Sequence, residues 1–442
     1  MCRIAILRSH GDTTMTHGGT KTEFKKGSSG NILTHHWLPI QTTGQGSPFI
    51  DCYDGANILF NGEVFNHSFD NDMDAIKFAY EGSELAETEI ESLSTYMFSE
   101  VDGFFSILAD TNRYVYAMVD PLGKKQLYYK EGYGIASEIK ALLTGSEVFN
   151  DSYFSRTIKF GYVTDDSTPY EGIYRLPPNS IYVFDKELRL VQKLLHVREI
   201  CKVNPQEHNF HARMATSVIN RTVSKLPIAL LLSGGLDSSI LCYHLKEIGA
   251  NFTSYCVDNE EDVEFARLMD PDVKILPSGG KDFLPALMSM EQPLDLGSMV
   301  PQYSLLKGIK ETVVLTGDGA DELFGGYKRS MIYDSQLSDI FDELVYYHHI
   351  RLDRMAAIHT KEIRSPFLNL DILEYALGLP YDLRQNKFFL RSYYSPFLPK
   401  EIINRGKEPL KTNQVRTEDP VEYRAKLSNT FKEIIRGKQN LH

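Results

Sequence analysis

Apolar and polar positions follow two different patterns along the chain. From residue 1 to about 191, short apolar runs recur at Cys2 to Leu7, Ala56 to Phe60, Phe104 to Leu108 and Tyr114 to Val119. They are rich in β-branched or aromatic residues, and Asn, Asp or Gly closely follows most of them, which predicts strands packed in sheets with few helices. After a polar stretch near residues 193–208, the pattern changes to short apolar strands followed by helical periodicity, as in a parallel sheet with crossover helices. Pro227 to Leu232 reads as a buried strand whose proline takes the first position, where a missing N–H is tolerated. Ser239 to Leu245 reads as the helix after it, and Phe252 to Val257 and Val313 to Leu315 as further strands. From about residue 335 onward the chain reads as mainly helical, with breaks at Pro366, Pro380 and Pro396. The expectation is an α/β protein of two domains, 1–192 and 209–442, joined by a linker at 193–208.

Length and composition agree with two cores: 442 residues, 42% hydrophobic and 24% charged. The formal charge of −12 repels nucleic acid and anionic membrane surfaces, so small molecules are the expected partners and acidic ones need local basic groups. The five cysteines (Cys2, Cys52, Cys201, Cys242, Cys256) form no CxxC pair and are odd in number, which points to a reducing compartment, the cytoplasm by default. The start has no long apolar segment with a small-residue cleavage site, and no stretch approaches the roughly 20 apolar residues that span a bilayer.

The strongest chemical signal is Ser233-Gly234-Gly235-Leu236-Asp237-Ser238-Ser239, between the Pro227 strand and its helix. Adjacent glycines let the backbone approach a ligand and turn N–H groups toward it, while the helix N-terminus adds positive potential; a polyphosphate fits such a cradle. Ser233, Ser238 and Ser239 can donate hydrogen bonds, and Asp237 would repel phosphate unless a cation such as Mg²⁺ lay between them. The terminal Gly-Lys pair of a Walker loop is missing. The plain alternative is a glycine turn whose Ser and Asp cap a helix. A second segment, Thr316 to Tyr327 (TGDGADELFGGY), follows strand Val313 to Leu315 and so lies where open α/β sheets bind ligands. It puts Asp318 and Asp321 in a glycine-rich turn, one carboxylate for a metal and one near the reacting centre.

SGGLDSS and TGDGADELFGGY in this order resemble the synthetase domain of asparagine synthetases, as do Arg364 to Asn369 (RSPFLN), Leu398-Pro399 and Arg405 to Pro409 (RGKEP). The resemblance implies that Leu231, Val257, Thr316 and Gly317 line an adenosine pocket. Ser233 to Ser239 would hold pyrophosphate, and Asp237 and Asp321 would bind Mg²⁺. Asp318 stands where the family carries a carboxylate implicated in forming the acyl-adenylate and deprotonating the amine. Lys407 would stabilise charge on the phosphates. The cofactors implied are ATP and Mg²⁺.

The amino-terminal half resembles an N-terminal-nucleophile glutaminase, in which methionine is removed and the freed α-amine serves as base for the Cys2 thiol. Asn61 to His67 (NGEVFNH) is similar to the family's N-G-E-I-Y-N-H, whose Asn side chain and Gly N–H, here Asn61 and Gly62, stabilise the oxyanion. Glu63 belongs to the same glutamine-binding segment, and Asp72 corresponds to the carboxylate that grips the glutamine α-amine. The implied architecture is an αββα Ntn-hydrolase sandwich followed by a doubly wound parallel-sheet domain of the adenine-nucleotide α-hydrolase type. The implied reaction amidates aspartate through an aspartyl adenylate with ammonia from glutamine, and the assembly allowed includes a homodimer. A further expectation is an apolar interior between the two sites through which neutral ammonia passes.

Two departures matter. Where the family clamps the glutamine carboxylate with arginine, this chain has Trp37, which cannot form the bidentate pair. Lys21, Lys25 or Lys26 takes over that carboxylate, or free ammonia is the working donor. In the segment that resembles the aspartate site, Gly297 stands where one branch has arginine, while Ser298 matches one of a serine pair in another. Three rivals fit less well: β-lactam-forming synthetases lack the amino-terminal cysteine, tRNA-modifying pyrophosphatases need a basic tract, and a degenerate binding protein would not keep these motifs.

Overall fold

The computed structural model describes residues 2–8, 15, 17–40, 48–82, 89–207, 209–277, 282–294, 297–327, 342–406 and 419–439. Two six-stranded antiparallel sheets fill the amino-terminal half. Across its width the first runs Ile173–Arg175, Tyr128–Lys130, Gly134–Ala136, Arg3–Leu7, Ile32–Trp37 and Lys21–Lys26. The second runs Leu190–Leu195, Ser180–Phe184, Val115–Val119, Gly103–Asp110, Asn57–Val64 and Ile50–Asp51. The expected linker therefore begins inside the last strand of this sheet.

Side-chain alternation explains the layering. Ile4 and Ile6 point between the sheets and meet Leu59, Leu108, Ala117 and Phe184, while Ala5 and Leu7 point outward to Ile139, Ala141 and Leu142. The outer face of the second sheet (Ile58, Phe60, Phe105, Ile107) is covered by helices Asp72–Glu81 and Glu89–Thr95 through Ile76, Ala79 and Leu93. Strand Arg3–Leu7 is buried on both faces, hence its unbroken apolar run.

The carboxyl-terminal half holds a five-stranded sheet, all parallel, in the order Lys274–Leu276, Phe252–Val257, Ile228–Leu231, Val313–Leu315, Glu362–Arg364. Leu230, Val313 and Leu315 face one helical layer, and Ala229, Val314 and Ile363 face the other, so the sheet is doubly wound. Strand Ile228–Leu231 is flanked by the next two strands in sequence on one side and the last two on the other, which opens a crevice at its carboxyl end. Among the described residues no helix is long and apolar enough to cross a membrane.

Candidate active site

Cys2 stands at the head of strand Arg3–Leu7. The Leu38 N–H points to its Sγ at 3.4 Å, and the Leu38 carbonyl lies 3.7 Å away. Burial pushes the Cys2 thiol up to about 11, and the Glu63 and Asp72 carboxylates push the same way. A thiol held protonated is a weak nucleophile until a base takes its proton. Asn61 and Gly62 lie in strand Asn57–Val64, opposite Ser106 and Phe105. A side chain at position 62 would put its Cβ 2.1 Å from the Phe104 carbonyl oxygen, so only glycine fits there. The Asn61 side chain is fully buried, and its oxygen and nitrogen have no hydrogen-bond partner among the described residues. A buried amide without partners is costly, and a ligand oxygen would relieve it.

Glu63 and Asp72 are both buried. Glu63 pairs at 3.2 Å with Arg364 from the parallel sheet. Asp72 opens helix Asp72–Glu81, whose cap is Asn71, accepting from the Asp74 N–H. Burial, then the nearby Glu362 carboxylate, push Asp72 up to about 7. Cys2, Glu63 and Asp72 are thus close enough to act on one another, and the second half of the chain closes the group.

Trp37 is buried, with the Thr20 N–H donating to its carbonyl at 2.8 Å and Gly19 packed on its backbone. Lys21 Nζ sits 5.8 Å from the centre of the indole ring, and Lys25 is paired with Asp51.

The second centre is a cavity of about 460 Å³ at the carboxyl ends of the parallel strands. Of the residues expected there, Leu231, Ser233, Gly235, Asp237, Ser238, Val257, Ser298, Thr316, Gly317, Asp318 and Asp321 line it. Gly234 and Ser239 stand behind the lining. Gly234 has φ +68°, and a Cβ there would strike Phe265 at 2.4 Å, so its glycine serves close packing against a neighbouring helix. Ser239 is fully buried in helix Leu236–Glu247. Lys407 lies outside the described residues, as do Asp295 and Leu296. The preceding Arg405 donates to the Ser233 carbonyl at 2.7 Å, pairs with Asp262 at 2.5 Å and stacks on Phe265 at 4.3 Å, so the segment leading to Lys407 is tied to the glycine loop.

Sequence reasoning missed two residues here. Lys387 Nζ lies 2.5 Å from Asp237 and 2.6 Å from Asp321. Burial opposes its charge, but the two carboxylates outweigh that and hold it above the usual lysine value. Arg351 bridges Ser298 Oγ at 2.6 Å and Asp318 at 2.9 Å. Neither belongs to a short motif; both sit on elements far in sequence from the loops they serve, so only the fold assembles them. Beside Ser298, a Cβ on Gly297 would meet nothing within 4 Å.

The donor set fits the groups expected. Two carboxylates converging on one point are hard oxygen ligands of the kind Mg²⁺ takes, and an ammonium now neutralises them there. Glycine-turn N–H groups, serine hydroxyls, Lys387, Arg351 and Arg405 give the cavity the positive and donor character a polyphosphate needs. Where the two halves meet, a small cavity of about 20 Å³ is lined by Phe104, Leu352 and Ile363 but also by Lys124, Lys125 and Asp353, so its walls are only partly apolar.

An antiparallel sandwich with a cysteine heading its first strand, joined to a parallel sheet with a phosphate-type loop, is the two-part architecture of an amidotransferase coupled to a nucleotide-dependent ligase. The chain belongs to the asparagine synthase family: that profile, described as asparagine synthase, matches residues 209–339 and 329–439, and a glutamine amidotransferase domain matches residues 7–193. A probable asparagine synthetase [glutamine-hydrolyzing] of Acanthamoeba polyphaga mimivirus is 26% identical, covering 84% of this chain and 75% of that protein. One from Schizosaccharomyces pombe is 25% identical over 90% of this chain and 80% of its own length, and one from Lotus japonicus 25% over 86% and 70%.

Proposed function

We propose that the protein is a glutamine-dependent asparagine synthetase, converting aspartate to asparagine through a β-aspartyl-AMP intermediate at the expense of ATP. The observation that carries this reading is the convergence of the glycine loop, Thr316-Gly317 and the three carboxylates Asp237, Asp318 and Asp321 on one cavity. A carboxylate is a poor electrophile, so attaching AMP creates a leaving group that ammonia then displaces.

Leu231, Val257, Thr316 and Gly317 would take the adenosine, and Ser233, Gly235 and Ser238 the phosphates. Asp237 and Asp321 would hold Mg²⁺, which supplies charge neutralisation on the phosphates when bound. Lys387, with Lys407, would stabilise negative charge on the departing pyrophosphate. Asp318 would accept the proton of the attacking amine, oriented by Arg351, and Ser298 would touch the acceptor.

In the other half the Cys2 thiolate would attack the glutamine amide, with Asn61 and the Gly62 N–H receiving the oxyanion and Glu63 and Asp72 binding the amino acid. The roughly 20 Å³ cavity between the halves is of a size for one small neutral molecule. We also assign residues 1–192 and 209–442 as the two domains and the cytoplasm as the compartment, consistent with five free cysteines.

The test is pyrophosphate release with ATP and Mg²⁺ across a panel of carboxylates. Aspartate should be required; release with another acid and none with aspartate would reject the acceptor. One observation favours a second reading, in which ammonia is the donor: Trp37 replaces the clamp cation. Asparagine formation with ammonium, and none with glutamine, would select it.

A further inference from the structure

Away from both centres, three metal-ligating side chains meet on the outer helical layer of the parallel sheet. His211 lies in the first turn of helix Phe210–Arg221, and His244 and Glu247, three residues apart on one face, lie in the last turn of helix Leu236–Glu247. One ligand atom from each lies within 4.8 Å of the others. His211 Nε2 is 3.0 Å from Glu247 Oε2, and His244 Nδ1 is 3.3 Å from the same oxygen.

We infer that His211, His244 and Glu247 form a binding site for a divalent transition cation of the zinc class. Ligands about 2.0–2.1 Å from a tetrahedral zinc stand roughly 3.3–3.4 Å from one another. Two of the three ligand separations are already near that value, and small rotations of side chains close the third. The donor set of two imidazoles and one carboxylate selects zinc-like ions over Mg²⁺ or Ca²⁺, which take oxygen.

The surroundings orient the ligands. His244 is fully buried and its Nε2 lies 2.7 Å from the Tyr394 hydroxyl, so the other ring nitrogen is the one turned toward Glu247. A partner on the far nitrogen is the arrangement that fixes a ligating imidazole. Tyr243 and Phe397 wall the His211 ring, with centroids 6.1 and 5.9 Å away. The Glu247 side chain is 39% exposed, which leaves a coordination position open to water. The Tyr243 hydroxyl donates to the other Glu247 oxygen at 3.2 Å and holds the carboxylate in place.

The site ends the helix whose other end carries the Ser233 to Ser239 loop. At 1.5 Å per residue, Asp237 stands about 10 Å from His244 and about 15 Å from Glu247 along the axis, so the cation is distinct from any metal that Asp237 and Asp321 hold.

The experiment is calorimetric titration of the chelator-treated full-length protein with Zn²⁺ and, separately, Mg²⁺, beside the variants His211→Ala and Glu247→Gln. Both substitutions are at partly exposed positions and should leave the fold intact, which circular dichroism checks. One Zn²⁺ per chain should bind, at least tenfold more weakly in either variant, since losing even an outer partner of a ligand costs about 10–100-fold. The thermal midpoint should rise with Zn²⁺ in the parent and not in the variants. Absent Zn²⁺ binding, affinity unchanged in both variants, or Mg²⁺ binding equally well there would overturn the assignment.

Discussion

One ammonium and two carboxylates share a point in the cavity at the carboxyl ends of the parallel strands, and nothing local in the sequence announces it. Asp237 and Asp321 were legible because each sits in a glycine-rich turn after an apolar strand. Lys387 was not, because its φ of +56° and its burial arise from the packing of a distant helix start. With the phosphates held as proposed, Lys387→Met would remove a fixed cation beside them and should lower the rate of pyrophosphate release by about 10²–10³, as losing one preorganised donor does. A rate within threefold of the parent would remove Lys387 from the mechanism. Asp72 gives a second prediction at this scale. Its folded value near 7 exceeds the ordinary aspartate value of 3.8, so the folded state holds the proton more tightly, and stability falls as pH rises through the window between them. Asp72→Asn should therefore raise the melting temperature relative to the parent at pH 8 and change it little at pH 4. A difference independent of pH would contradict the raised value. In its proposed role Asp72 binds the glutamine ammonium, and protonation below about pH 7 would abolish that pairing, so KM for glutamine should climb there.

Among the elements, helix His349–Ala357 reaches both centres. Arg351 faces Ser298 and Asp318, while Asp353 binds Arg3 at 2.8 Å and Arg354 binds Glu291 at 3.1 Å. Glu291 in turn accepts from the Ile139 and Lys140 N–H groups of the other half. Arg351→Ala should raise KM for aspartate by about tenfold to a hundredfold, because it strips the partner of a part-buried charge, with ATP binding little changed. An unchanged KM would place the acceptor elsewhere. Seven strands were readable from apolar runs rich in β-branched or aromatic residues, and Phe252–Val257 fell where the pattern put it. Lys274–Leu276 and Glu362–Arg364 were not, since each is three residues long and carries charge, unlike the equally short but wholly apolar Val313–Leu315. Glu362–Arg364 also reads as polar: its charges are buried only because Arg364 pairs with Glu362 and with Glu63 of the opposite half.

At the scale of the whole molecule, the contact between halves is ionic as much as apolar. Arg3, Glu138, Arg354, Glu291 and Asp353 are all buried there, and Phe65 is held between the guanidinium groups of Arg221 and Arg364, each 4.9 Å from its ring. Breaking such a buried pair costs several kcal/mol, about 3–5, because the remaining charge is left uncompensated. Glu138→Gln should accordingly lower the urea midpoint, and a midpoint equal to the parent's would mean the network is not what joins the halves. The two-part organisation was legible from the change of apolar pattern near residue 200, but this interface was not, because each of its charges looks like an ordinary surface residue in the sequence. In the proposed reaction nitrogen passes from one half of the molecule to the other. With amide-¹⁵N glutamine, aspartate and ATP, the parent protein should place ¹⁵N in the side-chain amide of asparagine, and Cys2→Ala should make asparagine only when ammonium is added. Glutamate released while asparagine stays unlabelled, or loss of both routes in Cys2→Ala, would contradict it.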